Sequence, residues 1–95
     1  MKQIEMLLYE CEKFYPRIEK DKILTRDKKA PYPEIRAAII TAYSRRYRLT
    51  RSKAGKIFNR DHSTISYLSQ KVEDLCYVDK RYKRFYNHLR NKLKQ

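Results

Sequence analysis

Apolar residues recur at intervals of three and four along almost the whole chain, which is the spacing of one face of an α-helix. After Asp61, for example, Ile65, Leu68, Val72 and Leu75 follow this spacing. No stretch alternates apolar and polar residues with the period of two that a half-buried strand shows. The 95 residues include one glycine and three prolines, so few positions interrupt a helix. The sequence therefore predicts one small all-α domain of about five to six helices.

Prolines, capping residues and charge clusters set the expected limits of these helices. Pro16 ends the first helix because proline cannot continue the backbone hydrogen bonds. Pro33 and Glu34 suit the first turn of the third helix, where proline is tolerated and a carboxylate favours the helix dipole. Two prolines and several charges predict a loop across 25–33. The predicted helices cover residues 2–15, 18–24, 33–47, 51–58, 62–76 and 79–94.

Each predicted helix carries an apolar stripe that should face a common core. We expect Ile35, Ala38, Ile39 and Ala42 or Tyr43 to form the buried face of the third helix. Cys11 belongs to the stripe of the first helix, and Cys76 lies far from it in the sequence. Neither has a second Cys or His at metal-binding spacing, so both are expected to be free thiols in a reducing cytoplasm, rather than a disulfide or a zinc site. No apolar run is long enough to span a membrane, and no membrane partner is expected.

A short helix, a tight connection and a longer helix predict a helix-turn-helix at about residues 50–76. Thr50 is the expected N-cap of the shorter helix, and Ala54, Ile57 and Phe58 share one of its faces. Ala54 and Gly55 are small, which allows the two helices to approach closely. Asn59 with the residue after it forms the connection.

The longer helix has the composition of a helix that reads DNA bases. Asp61 is its expected N-cap, because a carboxylate can accept from the free N–H groups of the first turn. Opposite the apolar stripe the helix presents hydroxyl, imidazole and amide groups, which can contact base edges in a major groove. These polar residues are His62, Ser63, Thr64, Ser66, Tyr67 and Gln70.

Positive charge is concentrated in the segment that leads into this helix. The chain has a net charge of +13. Residues 28–60 carry ten Lys or Arg and one Glu, whereas acidic and basic residues cancel over residues 1–27. A polyanion partner follows from such a distribution, and nucleic acid is the most common one. The alternative is that the positive charge only improves solubility, which would not require its concentration beside one helix.

The run Gly55-Lys-Ile-Phe-Asn-Arg-Asp-His-Ser-Thr-Ile65 resembles the signature of the DNA-binding domain of the bacterial replication initiator DnaA. That signature reads roughly Gly-x-x-Phe-Gly-x-Arg-Asp-His-Ser/Thr-Thr-Val. Helix order and spacing agree along most of the chain, which implies a Trp repressor-like fold and a bacterial or phage-encoded protein of the nucleoid. The chain departs from the family at Asn59, where two residues are usual, so its turn is one residue shorter.

The resemblance implies sequence-specific binding to double-stranded DNA at DnaA-box-like sites. It places a base contact, including a thymine methyl, at His62, a second base contact at Ser63 and a phosphate contact at Thr64. It also implies that Lys28 or Lys29 enters the minor groove, although solvated lysines that touch only phosphates are an alternative, since arginine is more usual there. The candidate DNA-binding residues are Arg60, Asp61, His62, Ser63, Thr64, Ser66, Tyr67, Gln70, Lys28, Lys29, Arg36, Arg45, Arg46, Arg48 and Lys53.

Three function classes remain open on the sequence. The first is a replication or transcription regulator that binds duplex DNA as a monomer, without ATPase activity, and that recruits a protein partner through its first or last helix. The second is an RNA- or single-strand-binding module, supported by the charge and by nine tyrosines. The third is an enzyme or a protein-interaction module. An enzyme is not expected, because the sequence holds no partnered nucleophile, no phosphate-binding loop and no metal cluster, and no cofactor is expected either.

Overall fold

The computed structural model of the protein describes residues 2–94 and contains six α-helices and, within that range, no β-strand. The helices are α1 (Lys2–Phe14), α2 (Lys20–Ile23), α3 (Tyr32–Arg46), α4 (Arg51–Phe58), α5 (His62–Val78) and α6 (Lys80–Leu93). The all-α prediction is confirmed, and most predicted helix limits agree within two residues. The helix α5 is longer than predicted because no residue interrupts it before Asp79, whose side chain caps α6 by accepting from two backbone N–H groups.

The helix α3 lies at the centre of the molecule. Every residue from Ile35 to Tyr43 is buried, and each of the other five helices packs against α3. The prediction of a single buried face for this helix was therefore too narrow. The small residues Ala37, Ala38 and Ala42 permit this, because a helix with short side chains can be surrounded on all sides.

The helix α6 runs alongside α3 in the same direction. At its start the hydroxyl of Tyr82 donates to the carbonyl of Glu34 (2.7 Å), and at its end Arg46 Nε donates to the carbonyl of Leu93 (2.9 Å). Its predicted apolar stripe is confirmed as buried. The first helix covers the other side of this pair, where the ring of Phe14 packs 5.5 Å from that of Phe85.

The helix-turn-helix depends on the close approach that Gly55 permits. The backbone N–H of Arg60 donates to the carbonyl of Gly55 (2.8 Å), and a methyl group at Gly55 would overlap the carbonyl oxygen of Arg60. Asn59 makes the turn with a left-handed backbone, φ 55°. The predicted cap at Thr50 is confirmed, since its hydroxyl accepts from the N–H of Lys53 (3.1 Å).

The sequence prediction places one apolar residue of α4, Ile57, on the packed face of the helix, whereas the structure exposes part of it. Ile57 is 39% exposed, whereas Ala54, Gly55 and Phe58 are buried. Successive residues of a helix are rotated by about 100°, so the burial of Gly55 moves the centre of the packed face away from Ile57. The packed face of α4 thus follows its smallest residues.

No helix within residues 2–94 has the length and apolar character needed to cross a membrane. In the same range, no group of His, Cys, Asp or Glu side chains is arranged to hold a metal ion. Cys11 is buried, Cys76 is half-buried, and both are free thiols.

Candidate nucleic-acid interface

The outer face of α5 carries the predicted polar side chains over its first two turns. His62, Ser63, Tyr67 and Gln70 are exposed, while Ile65, Leu68 and Val72 are buried on the opposite side. Thr64 and Ser66 lie at the edges and are half-buried. The predicted division of this helix into a packed and an exposed face is therefore confirmed.

The polar face becomes acidic after these two turns. Glu73 and Asp74 are exposed, and the amide of Gln70 donates to Oδ1 of Asp74 (3.1 Å). Carboxylates repel phosphates, so a polyanion is favoured only near the start of the helix. The uncharged polar part of this face therefore ends at Gln70.

Asp61 occupies the N-cap position of α5 without making the expected capping hydrogen bond. Its backbone has the extended conformation usual for a cap, φ −67° and ψ 151°, but its side chain accepts from no N–H group of the first turn. The side chain is exposed beside His62. The carboxylate is thus available to accept a hydrogen bond from a ligand, such as the amino group of a cytosine.

Arg60 has a structural role, because its guanidinium donates to four backbone carbonyls, and its predicted DNA contact stays a prediction. Its Nη1 donates to the carbonyls of Phe58 (2.8 Å) and Asn59 (3.0 Å). Its Nη2 donates to the carbonyls of Leu24 (3.2 Å) and Thr25 (2.7 Å). Burial lowers the pKa of Arg60, and the nearby charge of Arg26 lowers it further. The guanidinium therefore fastens the segment after α2 to the turn of the helix-turn-helix.

The side chain of Arg36 is largely buried, and its predicted DNA contact stays a prediction. Arg36 is 8% exposed, and its guanidinium donates to the carbonyls of Ile23 (2.7 Å) and Asp27 (2.8 Å). Burial lowers its pKa, and the charge of Arg60 contributes in the same direction. Arg36 holds the start of the loop that carries the two predicted minor-groove lysines.

That loop is folded tightly and lies beside the start of α5. The backbone N–H of Lys29 donates to Oδ1 of Asp27 (2.8 Å), and the side chains of Lys28 and Lys29 are exposed. A groove of about 250 Å³ separates the loop from the first turn of α5. It is lined by Arg26, Lys28, Arg36, Arg60, Asp61 and Thr64. The fold thus places the basic loop next to the first turn of α5.

Arg26 and Arg51 also belong to this surface, although neither is among the residues predicted from the sequence to bind DNA. Arg51 Nη1 donates to the hydroxyl of Ser66 (2.8 Å), so the start of α4 reaches the outer face of α5. Arg26 Nη2 lies 3.5 Å from the carbonyl of Asn59. A signal for Arg51 was present, because the residue directly after an N-cap lies at the exposed end of the first helix of a helix-turn-helix.

The remaining predicted cations lie near the start of α4 or at the end of α3. Lys53 and Arg48 are exposed. Arg45 forms an ion pair with Glu73 (3.0 Å), and Arg46 donates to the end of α6. Cations therefore flank the polar face of α5 on two sides, at the loop before α3 and at the start of α4.

No protein-family model matches the chain, and no curated protein or solved structure is significantly similar to it. The resemblance to the DnaA DNA-binding domain and its Trp repressor-like fold therefore stays a prediction, which rests on residues 55–65 and on the order of the helices.

Proposed function

We propose that this protein binds double-stranded DNA sequence-specifically through its helix-turn-helix, at sites similar to the DnaA box. The observation that carries the proposal is the exposed polar face at the start of α5, with cations on both of its sides. A helix that presents its first turns in this way fits the major groove of B-DNA, and basic residues on its flanks neutralise the phosphates of the two groove edges.

Each group of residues has a separate task in this proposal. His62 and Ser63 are exposed in the first turn of α5, where side chains reach base edges most directly. Lys28 and Lys29 contact the backbone or the minor groove beside the major groove that α5 enters. Arg51 and Lys53 hold phosphates on the opposite edge. Phosphate contacts fix the register, and base contacts select the sequence.

The proposed role is that of a regulator that occupies a site. Occupancy of a site can exclude a competing initiator or repress a promoter. One reading helix in one chain suits a single asymmetric site bound by a monomer, whereas a dimer would require two half-sites about one helical turn apart.

A competition experiment tests the proposal. Labelled duplex DNA of a selected sequence is displaced by unlabelled duplex, single-stranded DNA and RNA of that sequence. We expect the duplex to compete most strongly, and log K to fall with log salt at a slope of roughly −4.5 to −7, for about five to eight neutralised phosphates. A slope near zero, or stronger competition by single strands, would reject duplex binding.

The alternative that a specific observation favours is binding to single-stranded nucleic acid or RNA. Tyr67 is 63% exposed on the same face of α5, and an exposed aromatic ring beside cations can stack on an unpaired base. A Tyr67→Ala variant separates the two functions. It should weaken single-strand binding by roughly 1–3 kcal/mol if bases stack on the ring, and it should leave the preference for duplex unchanged if the duplex is the ligand.

A further inference from the structure

We propose that a second basic groove, between the ends of α3 and α6, holds the phosphate backbone of the same duplex outside the segment that α5 reads. This inference rests on the proposed binding to duplex DNA. The groove has a volume of about 370 Å³, and among residues 2–94 no carboxylate lines it. Its five cationic residues are Arg45, Arg46, Arg48, Arg90 and Lys94.

One guanidinium group of the groove is held by a carbonyl and a ring, and a second lies near a ring. Arg46 donates through Nε to the carbonyl of Leu93 (2.9 Å), and its guanidinium carbon lies 5.3 Å from the centre of the Tyr47 ring. Arg90 lies 5.9 Å from the centre of the Tyr86 ring. These contacts leave the terminal nitrogens of both arginines available. A side chain that is already ordered loses less entropy when it binds a ligand.

The other cations differ in their availability. Arg45 is shared between the hydroxyl of Tyr86 (3.3 Å) and the carboxylate of Glu73 (3.0 Å), so it contributes least. Within residues 2–94, the side chains of Arg48 and Lys94 have neither an ion-pair nor a hydrogen-bond partner. The groove therefore offers uncompensated positive charge, which is complementary to a polyanion.

The backbone of Arg48 is a second, independent indication that this surface binds a ligand. Arg48 has φ 51°, a left-handed conformation that disfavours residues other than glycine, asparagine and aspartate. It follows the end of α3, where the N–H of Leu49 donates to the carbonyl of Ser44 (2.9 Å) and closes the helix in the way that glycine usually permits. At the other left-handed helix end the chain uses Asn59, a favoured residue. An arginine in an unfavourable conformation suggests that its side chain is needed.

The position of the groove relative to α4 identifies its occupant. Arg48 precedes Thr50, the N-cap of α4, by two residues, and Arg51 of the same helix end reaches the outer face of α5. The loop of Lys28 approaches the opposite end of α4, at Asn59. Cations therefore lie near both ends of α4, and those of the groove adjoin its start, which we infer places them along the same duplex. At about 3.4 Å per base pair, the 31 Å extent of the molecule covers about nine base pairs.

The test compares a short hairpin duplex, trimmed to the base pairs that α5 contacts and so shorter than the molecule, with a longer duplex of about twenty base pairs that extends the site on both sides. The double variant Arg90→Ala/Lys94→Ala removes two groove charges. The matched control, Lys80→Ala/Arg84→Ala, removes two exposed charges from the first turns of the same helix, outside the groove.

For two lost phosphate contacts, we expect the groove variant to bind the longer duplex roughly tenfold more weakly at about 0.1 M salt and to reduce the salt slope by about 1.8. Its affinity for the short duplex and its sequence preference should match those of the control. Equal affinities of both variants for the longer duplex would contradict the proposal that the groove binds the phosphate backbone. If the unaltered protein bound specific and scrambled duplexes alike, the proposed function itself would fail, which is a separate result.

Arg48→Gly provides a second measurement that does not depend on a loss of folding. Glycine relieves the left-handed backbone, so the melting temperature should be unchanged or higher. Affinity for the longer duplex should nevertheless fall several-fold. Unchanged affinity in this variant would show that the arginine has no ligand, and it would contradict the groove as a phosphate-binding surface.

Discussion

Replacement of Arg60 by alanine should destabilise the folded protein, because this side chain joins two segments that are distant in the sequence. Its guanidinium donates to four carbonyls, two on the turn at residues 58–59 and two on the segment at residues 24–25. The bonds to Phe58 and Leu24 are partly buried, and the other two are exposed to water. The exposed carbonyls regain water after the substitution, so the loss comes mainly from the partly buried pair.

The expected cost follows from these two bonds. A hydrogen bond from a charged donor contributes about 1.5–3 kcal/mol, and partial exposure reduces this, so Arg60→Ala should lower the free energy of unfolding by roughly 2–4 kcal/mol. For a domain of this size, each kcal/mol of lost stability lowers the melting temperature by about 4–8 °C, so the melting temperature should fall by roughly 10–30 °C. Arg60→Lys keeps the charge but loses the planar fork, and it should recover less than half of this loss.

Denaturant unfolding followed by circular dichroism measures the effect. The midpoint should decrease while the slope m stays constant, which indicates a change in stability alone. Lys56→Ala serves as control, because Lys56 is an exposed cation of α4 and its removal should change stability by less than about 0.5 kcal/mol. If Arg60→Ala were as stable as this control while duplex affinity fell, Arg60 would be a phosphate ligand and the structural role would be wrong.

Three further predictions concern packing and titration. Gly55→Ala should destabilise the protein by about 1–3 kcal/mol in thermal unfolding, despite the better helix propensity of alanine, because the methyl group has no room against the turn; a gain in stability would contradict the close approach. Burial raises the pKa of Glu10, but hydrogen bonds from His88 and Lys13 outweigh this and hold it below its ordinary value of 4.5. The stability that Glu10 contributes should therefore be complete above pH 4.5 and decrease as the pH falls below it. The urea midpoints of unfolding of the unaltered protein and of Glu10→Gln should accordingly converge towards about pH 3. A difference between them that stayed constant with pH would refute this. Burial, and to a smaller extent the charges of Glu10 and a neighbouring carboxylate, raises the pKa of Cys11 to about 12. Iodoacetamide should therefore label Cys11 only at the rate at which the protein unfolds. Rapid labelling of the folded protein would contradict the burial of Cys11.

The helices and the helix-turn-helix could be predicted from the sequence because they depend on local patterns. Thr50 caps α4, and Gly55 allows the close turn; both effects involve residues within about six positions of each other. The division of α5 into two faces follows from its own apolar spacing. The burial of Ile57 was predicted incorrectly because its apolar character does not indicate which side of a short helix meets its neighbours.

The roles of the arginines could not be predicted in the same way. A sequence gives the charge of Arg36 and Arg60 but not the carbonyls that surround them, and Arg60 contacts a segment 35 and 36 positions away. Arg36 was predicted to contact DNA from the resemblance to the DnaA domain, and Arg60 from its position just before α5; neither pattern indicates which carbonyls the guanidinium groups meet. The left-handed backbone of Arg48 and the contact of Arg51 with Ser66 likewise depend on how α3, α4 and α5 are packed.

The most direct test of the central claim is a selection of bound sequences from random duplex DNA, carried out with the unaltered protein and with His62→Ala/Ser63→Ala. The control is Lys80→Ala/Arg84→Ala, which changes exposed residues of α6 and leaves the polar first turns of α5 unaltered. We expect the unaltered protein and the control to select one asymmetric motif. The reading-helix variant should lose roughly 1–3 kcal/mol of preference per contact while keeping its non-specific affinity. Selection of the same motif by the reading-helix variant, or of no motif by the unaltered protein, would contradict the claim that α5 reads DNA.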